Sequence, residues 1–126
     1  MKKLVLLGAV AGLLYGCGGS DAVLTENVIV TNRGGASLTV IDAKTDVVKQ
    51  TVSIAGSEPM YVVYVKKTNR LYVGDRAQNK VHVLDPVTFQ VESSVDVGRG
   101  VFHMWADGQG DQLWVANDVD NTVSVI

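Results

Sequence analysis

Val28 to Asp42 reads VIVTNRGGASLTVID, and the stretch returns twice further along the chain. Leu71 to Asp85 is LYVGDRAQNKVHVLD, and Leu113 to Ile126 is LWVANDVDNTVSVI. Asn32, Asp75 and Asn117 fall in register, at steps of 43 and 42 residues. Each copy alternates apolar and polar residues at period two, the period of a strand. β-Branched residues crowd both runs, as a pleated, packed surface favours. A repeat of this length built from short alternating strands is the signature of a β-propeller blade.

Outward from that stretch, each copy adds two more strand-like runs. One spans about 47–54, with a counterpart at 90–97. The other spans 60–65, with a counterpart at 102–106. Asp42 and Asp85 open turns, each with a threonine three residues on, and Pro86 stands where a type I turn takes a fixed φ. Gly56 and Gly98 follow the third run, and Asn69-Arg70 and Asp107 to Asp111 supply further turns. That makes four strands per step and no convincing helical period after the first segment. The expected fold is all-β: a partial β-propeller of under three four-stranded blades, preceded by a signal peptide.

The chain has 126 residues, 47% hydrophobic and 19% charged, with a net charge of −2. These are ordinary values for a globular protein. No basic block exists, so a nucleic-acid partner is not expected. The single cysteine, Cys17, excludes an internal disulfide.

The first segment is different in kind. Met1-Lys2-Lys3 is a short positive start, and Leu4 to Tyr15 is an apolar run too short to span a bilayer, which takes roughly 20 residues. Residues 1–16 therefore read as a cleaved export signal. Leu14-Tyr15-Gly16-Cys17 resembles the lipobox of bacterial lipoproteins, with Tyr15 at a position where small residues are commoner. The resemblance implies that the Cys17 thiol takes a diacylglyceryl group and that a peptidase cuts after Gly16. Two or three acyl chains anchor stably, because each buried CH₂ contributes about 0.8 kcal/mol. Residues 17–25 become the lipidated cysteine and a flexible linker, and 26–126 the repeats. The expected address is the bacterial cell envelope, with the chain exported and lipid-anchored at the outer membrane or its periplasmic face. Loss of Lys2 and Lys3 leaves a more anionic body, so anchoring rests on lipid and not on a polybasic patch.

The repeats also carry a family resemblance. Val28 to Asn32 is similar to the YVTN core of bacterial and archaeal YVTN β-propeller repeats. Leu113 to Asn117, followed by Asn121 to Ile126, resembles their YVAN…NTVSVID pattern. Gly56-Ser57-Glu58-Pro59 resembles their G-x-x-P, with Val101 where Pro59 stands in the earlier copy. The resemblance covers about 26–126 and implies a propeller, which as a fold hosts many functions. A closed ring takes typically 4–8 blades, so the chain is expected to be the N-terminal part of a longer protein or a truncated reading frame. Its last strand is expected near an open edge, where unpaired groups invite other chains. Marginal stability or aggregation follows for the chain alone.

Candidate chemistry is sparse. His103, in Val101-Phe102-His103-Met104-Trp105, aligns with Tyr61. The family resemblance makes that strand the innermost one, so His103 is the candidate cofactor-binding residue. Met104, its neighbour on the strand, points the opposite way and does not share a metal with it. His82 aligns with Thr39 and Ser124 and is expected at a half-exposed strand position. Asp118, Asp120 and Asn121 form an oxygen-rich turn, but calcium takes six or more oxygens and the EF-hand pattern is missing. Gly98-Arg99-Gly100 resembles half a phosphate loop with no helix to follow it; Arg99 could contact a ligand at the channel mouth. No Ser–His–Asp set, haem-attachment motif or metalloprotease motif is discernible, so no catalytic residue and no metal site is assigned, and no cofactor is evident.

Two functions follow. One is a non-enzymatic, lipid-anchored scaffold whose partners are the membrane, through Cys17, and a protein or small-molecule ligand at the propeller loops. The other is an oxidoreductase-type propeller. The YVTN family is similar in fold to the haem-carrying propeller of cytochrome cd-type nitrite reductases and the copper-carrying propeller of nitrous oxide reductase. His103 would then be one ligand among several.

Overall fold

The computed structural model describes residues 26–126. The signal-type segment, Cys17 and the linker up to Thr25 lie outside the described residues. Ten strands follow in order: β1 (Asn27–Asn32), β2 (Ser37–Asp42), β3 (Val48–Ser53), β4 (Pro59–Val65), β5 (Arg70–Asp75), β6 (Lys80–Leu84), β7 (Val91–Asp96), β8 (Val101–Ala106), β9 (Leu113–Asn117) and β10 (Thr122–Val125). A single 3₁₀ turn, Arg33–Gly35, interrupts them, and the described residues contain no α-helix.

The strands make three antiparallel sheets: β1-β2-β3, β4-β5-β6-β7 and β8-β9-β10. The phase differs from that of the sequence unit. The run at 60–65 closes the first sequence copy, but in space β4 opens the second sheet, and β8 likewise opens the third. The reason is the length of the connection. The chain from Ser53 to Pro59 steps across to the next sheet, whereas the tight turn between β4 and β5, with Asn69 at φ 51°, folds the strand straight back onto its partner. β4 and β8 pack beside one another, as the first strands of neighbouring blades do.

The sheets stack face on face and share two apolar cores. In the first, Leu38, Val40 and Ile54 of the first sheet meet Leu71, Val73, Leu84 and Phe89 of the second unit. In the second core, Val81 meets Val101, Met104, Leu113 and Val115 of the third sheet. Val40, Val73, Val81, Val101 and Val115 are fully buried. Burying one such side chain contributes roughly 1.5–3 kcal/mol. Gly74 lets the second and third sheets approach closely. A Cβ there would lie 2.7 Å from Val101 Cγ1 and 3.1 Å from the Met104 sulfur. The last strand of each of the first two sheets, β3 and β7, is almost wholly exposed, as befits the outer rim.

Candidate functional site

The register residues Asn32, Asp75 and Asn117 are structural latches. Asn32 ends β1, Asp75 ends β5 and Asn117 ends β9, and each ties the following turn to the strand beyond it. Asn32 Nδ2 donates to the Ser37 and Thr39 hydroxyls, at 3.2 and 2.8 Å. Asn117 lies 3.2 and 2.9 Å from the Thr122 and Ser124 hydroxyls. Its amide is best oriented with the nitrogen donating to the Gly98 carbonyl and the oxygen accepting from Ser124 N–H.

The middle latch carries different chemistry. Asp75 Oδ1 accepts from the backbone N–H groups of Glu58, Ala77 and Gln78, at 2.9, 2.9 and 3.2 Å. Its Oδ2 lies 3.0 Å from His82 Nε2, and His82 Nδ1 lies 2.8 Å from Ser94 Oγ. With Nε2–H donating to Asp75, Nδ1 accepts the Ser94 hydroxyl proton. His82 is buried, not half-exposed as its alignment with Thr39 and Ser124 led one to expect. The imidazole is longer than those hydroxyls, so it fills the sheet interior and reaches the facing residue on β7. Sequence order concealed this Asp–His–Ser chain, because the pairing of His82 with Ser94 is set by strand register. A signal was nevertheless present: the latch partner recurs seven residues after the register residue in all three copies. Among the described residues, every buried side-chain nitrogen and oxygen has a hydrogen-bond partner.

His103 sits on β8, exposed, beside the bulge that separates Val101 from Met104 in the pairing with β9. A matching bulge falls between Pro59 and Tyr61 on β4. The bulges bring the aligned residues together across the two first strands: the Tyr61 and His103 rings lie 4.6 Å apart, tilted by 48°. Phe102 meets the His103 ring edge-on at 5.4 Å. Met104 is buried against Gly74, away from His103. Beside these strands lies an open hollow of about 510 Å³, lined by Tyr61, Val63, Tyr64, Met104, Trp105 and Gly108.

The turn residues with candidate roles pair with one another. Asp118 bonds Arg76 at 2.8 Å across the sheet boundary. Asp120 accepts from Arg99 through both backbone N–H and Nε, each at 2.7 Å. The Arg99 backbone bond, then its side chain, holds the Asp120 carboxyl below the usual carboxylate range. Asn121 takes a left-handed φ of 53° in the same turn. Arg99 therefore braces a turn and does not stand free at a channel mouth. Arg33, the counterpart of Arg76, instead bonds Glu58 at 3.1 Å. The position of Glu58 in the next copy is Gly100, where a Cβ would lie 2.1 Å from Asp118 Oδ1. The carboxylate has moved from the entry loop to the turn, and the glycine makes room for it. The described residues hold no group of three or more His, Cys, Asp or Glu side chains placed to bind a metal.

Three stacked antiparallel sheets with four strands per step make the chain an all-β, partial β-propeller. No family model matches it. It is 27% identical over 96 residues to the protein NirF of Pseudomonas aeruginosa, a match covering 75% of this chain and 24% of NirF. Among solved structures it is similar to hydrazine synthase of Kuenenia stuttgartiensis, with a TM-score of 0.74, 24% identity, and coverage of 80% of this chain and 29% of that one. It is also similar to the dihydro-haem d1 dehydrogenase NirN, solved in complex with DHE: TM-score 0.65, 14% identity, 80% of this chain and 22% of NirN. The chain thus spans about a quarter of the proteins it matches, and the structural likenesses concern the fold.

Proposed function

We infer that the chain is an exported, lipid-anchored β-propeller scaffold that binds its ligand at the first strands of its blades. The hollow beside β4 and β8 carries this reading. It is concave, mostly apolar, of small-molecule size, and edged by the aromatic rings of Tyr61, Tyr64 and Trp105. The Asp75 latch ties down the loop that leads into β4, through the Glu58 N–H. The anchor reading rests on the Leu14-Tyr15-Gly16-Cys17 pattern alone. Its test is the Cys17→Ser variant of the full chain. The unaltered chain should sediment with membranes and carry an acyl mass increment, and the variant should do neither. An unaltered chain without acyl mass defeats the anchor. For the binding site, the full chain is extracted from its own envelope and analysed by native mass spectrometry. A retained small molecule that is lost in Tyr61→Ala supports the site; retention unchanged by that substitution refutes it.

A second reading is favoured by the exposure of the His103 imidazole between Tyr61 and Phe102. NirN, a dihydro-haem d1 dehydrogenase, was solved in complex with DHE, and NirF is a sequence relative. The residues present fit one face of a flat macrocycle: an exposed imidazole donor with aromatic rings beside it. His103 would hold such a group, which when bound would supply the redox chemistry of its iron. Tyr61 and Phe102 would fix the ring plane of the imidazole, and the buried Met104 would back the strand without reaching the ligand. Haem titrated into the full chain should give a shifted visible band that His103→Ala abolishes. A spectrum identical to that of free haem sinks this reading.

A further inference from the structure

The residue just before a latch has a second neighbour, on the first strand of the following sheet. Gly74, before Asp75, faces the third sheet, where a Cβ would lie 2.7 Å from Val101 Cγ1 and 3.1 Å from the Met104 sulfur. Those two residues bracket the β8 bulge, which consists of Phe102 and His103. Thr31, before Asn32, holds the same place one sheet earlier. Its Oγ1 donates to the Met60 carbonyl at 3.4 Å, and Met60 is the extra residue of the β4 bulge, between Pro59 and Tyr61. Within its own sheet Gly74 also stands opposite Tyr61. It therefore lies behind both members of the ring pair: across the ladder from Tyr61, and against the two ends of the bulge that carries His103. Tyr61 packs onto the same core as Val101 and Met104. Both boundaries lie inside the chain, with a described sheet on either side.

We propose that Gly74 and Thr31 are positioning residues: each sets the bulge of the following sheet's first strand, and so aims the side chain that the bulge presents. A bulge adds a residue to one strand, raises the local twist and re-aims its side chains. Where they point depends on what supports the extra residue from behind. On β8 the support is bare backbone, because Gly74 lets Val101 and Met104 settle against it. Met104 turns inward, and His103 beside it turns out to Tyr61. Val101 is fully buried, so a methyl group added at position 74 displaces the end of the bulge and not a free side chain. On β4 the support is the Thr31 hydroxyl, which holds the bulge carbonyl. The pair is thus aimed from the sheet behind each ring: Tyr61 from the first sheet, His103 from the second. That the pair faces a ligand rests on the reading given above; that it is aimed in this way does not.

The test is made on the full chain by NMR, through the ring-proton shifts of His103 and Tyr61. Tyr61→Leu, which lacks the tyrosine ring current, is the reference. In Gly74→Ala the His103 protons should lose at least half of their ring-current displacement. Adding Val101→Ala removes the methyl group that the new Cβ meets and should restore it. A glycine that served stability alone would leave the His103 shifts unmoved in the folded variant. Thr31→Val keeps the shape without the hydroxyl and should move the Tyr61 protons, whereas Thr31→Ser should leave them in place; these two decide the matter should Gly74→Ala not fold. Haem titrated into the same samples should bind more weakly to Gly74→Ala and recover in the double variant. An unaltered chain that binds no haem removes the haem reading, and the ring shifts then decide the positioning by themselves. His103 shifts that Gly74→Ala does not move, or that Val101→Ala does not restore, overturn the proposal, as do Tyr61 shifts that Thr31→Val leaves in place.

Discussion

The middle sheet and its two neighbours latch the same turn with different groups. Asn32 and Asn117 use an amide between two hydroxyls, whereas Asp75 uses a carboxylate, three backbone N–H groups and an imidazole that continues to Ser94. The comparison shows that the repeat conserves a task and not a residue type: a short oxygen-bearing side chain at the strand end must satisfy the turn. Where that side chain is charged and wholly buried, a longer partner is needed to keep it paired. Charged hydrogen bonds are each worth about 1.5–3 kcal/mol, and an orphaned partner costs more than the bond gained.

The largest effect expected from this contrast is that of Asp75→Ala. It leaves three backbone donors and His82 unpaired and should cost about 3–5 kcal/mol, measured as a fall in the urea midpoint. Asn117→Ala should cost about half as much; equal losses would break the contrast. Next comes Gly74→Val, which should cost about 1–3 kcal/mol by forcing the second and third sheets apart. The same change at Ala116, its counterpart on the forward side of the third sheet, should leave stability nearly unaltered. A tolerated Gly74→Val would show that the close approach to Val101 is not required.

A smaller and sharper test converts the middle latch into its neighbours' form. His82→Thr alone should cost about 1 kcal/mol. Combined with Asp75→Asn, the loss should be less than the sum of the two single changes, because an amide matches a hydroxyl where a carboxylate matches an imidazole. Strict additivity in a double-mutant cycle would show that the two side chains do not act as a unit.

The smallest effect concerns acid. Asp42 is held below the ordinary carboxylate value of 3.8 by the N–H groups of Lys44 and Thr45, and Asp85 by those of Thr88 and Val87. A depressed folded-state value means that each group's contribution is complete above the unfolded value and is lost as pH falls through the folded one. Stability should therefore drop on acidification below about pH 4. The Asp42→Asn, Asp85→Asn double variant keeps an acceptor for those N–H groups and should flatten that drop. An unchanged acid slope would place the titration elsewhere.

Much of this was legible from residues in order. The 42- and 43-residue steps and the period-two alternation gave the strands, because alternation records which residues share a face of a sheet. The alignment of His103 with Tyr61 was likewise readable, and the structure brings the two rings together, tilted to one another. His82 was misread, since its burial depends on what lies across β7, a residue twelve positions away in sequence but opposite in register. The acidic turn at Asp118 and Asp120 looked free because the arginines that neutralise it are supplied by other loops.

The sequence by itself determined the class of the chain: strands, their number and their repeat. A local periodicity needs nothing beyond neighbouring residues to be expressed. Only the tertiary structure decided where one sheet ends and the next begins, which face of each is covered, and which polar side chains close the latches. Those outcomes depend on contacts between residues far apart in the chain, whose partners are chosen by register and by the close approach that Gly74 and Gly100 allow.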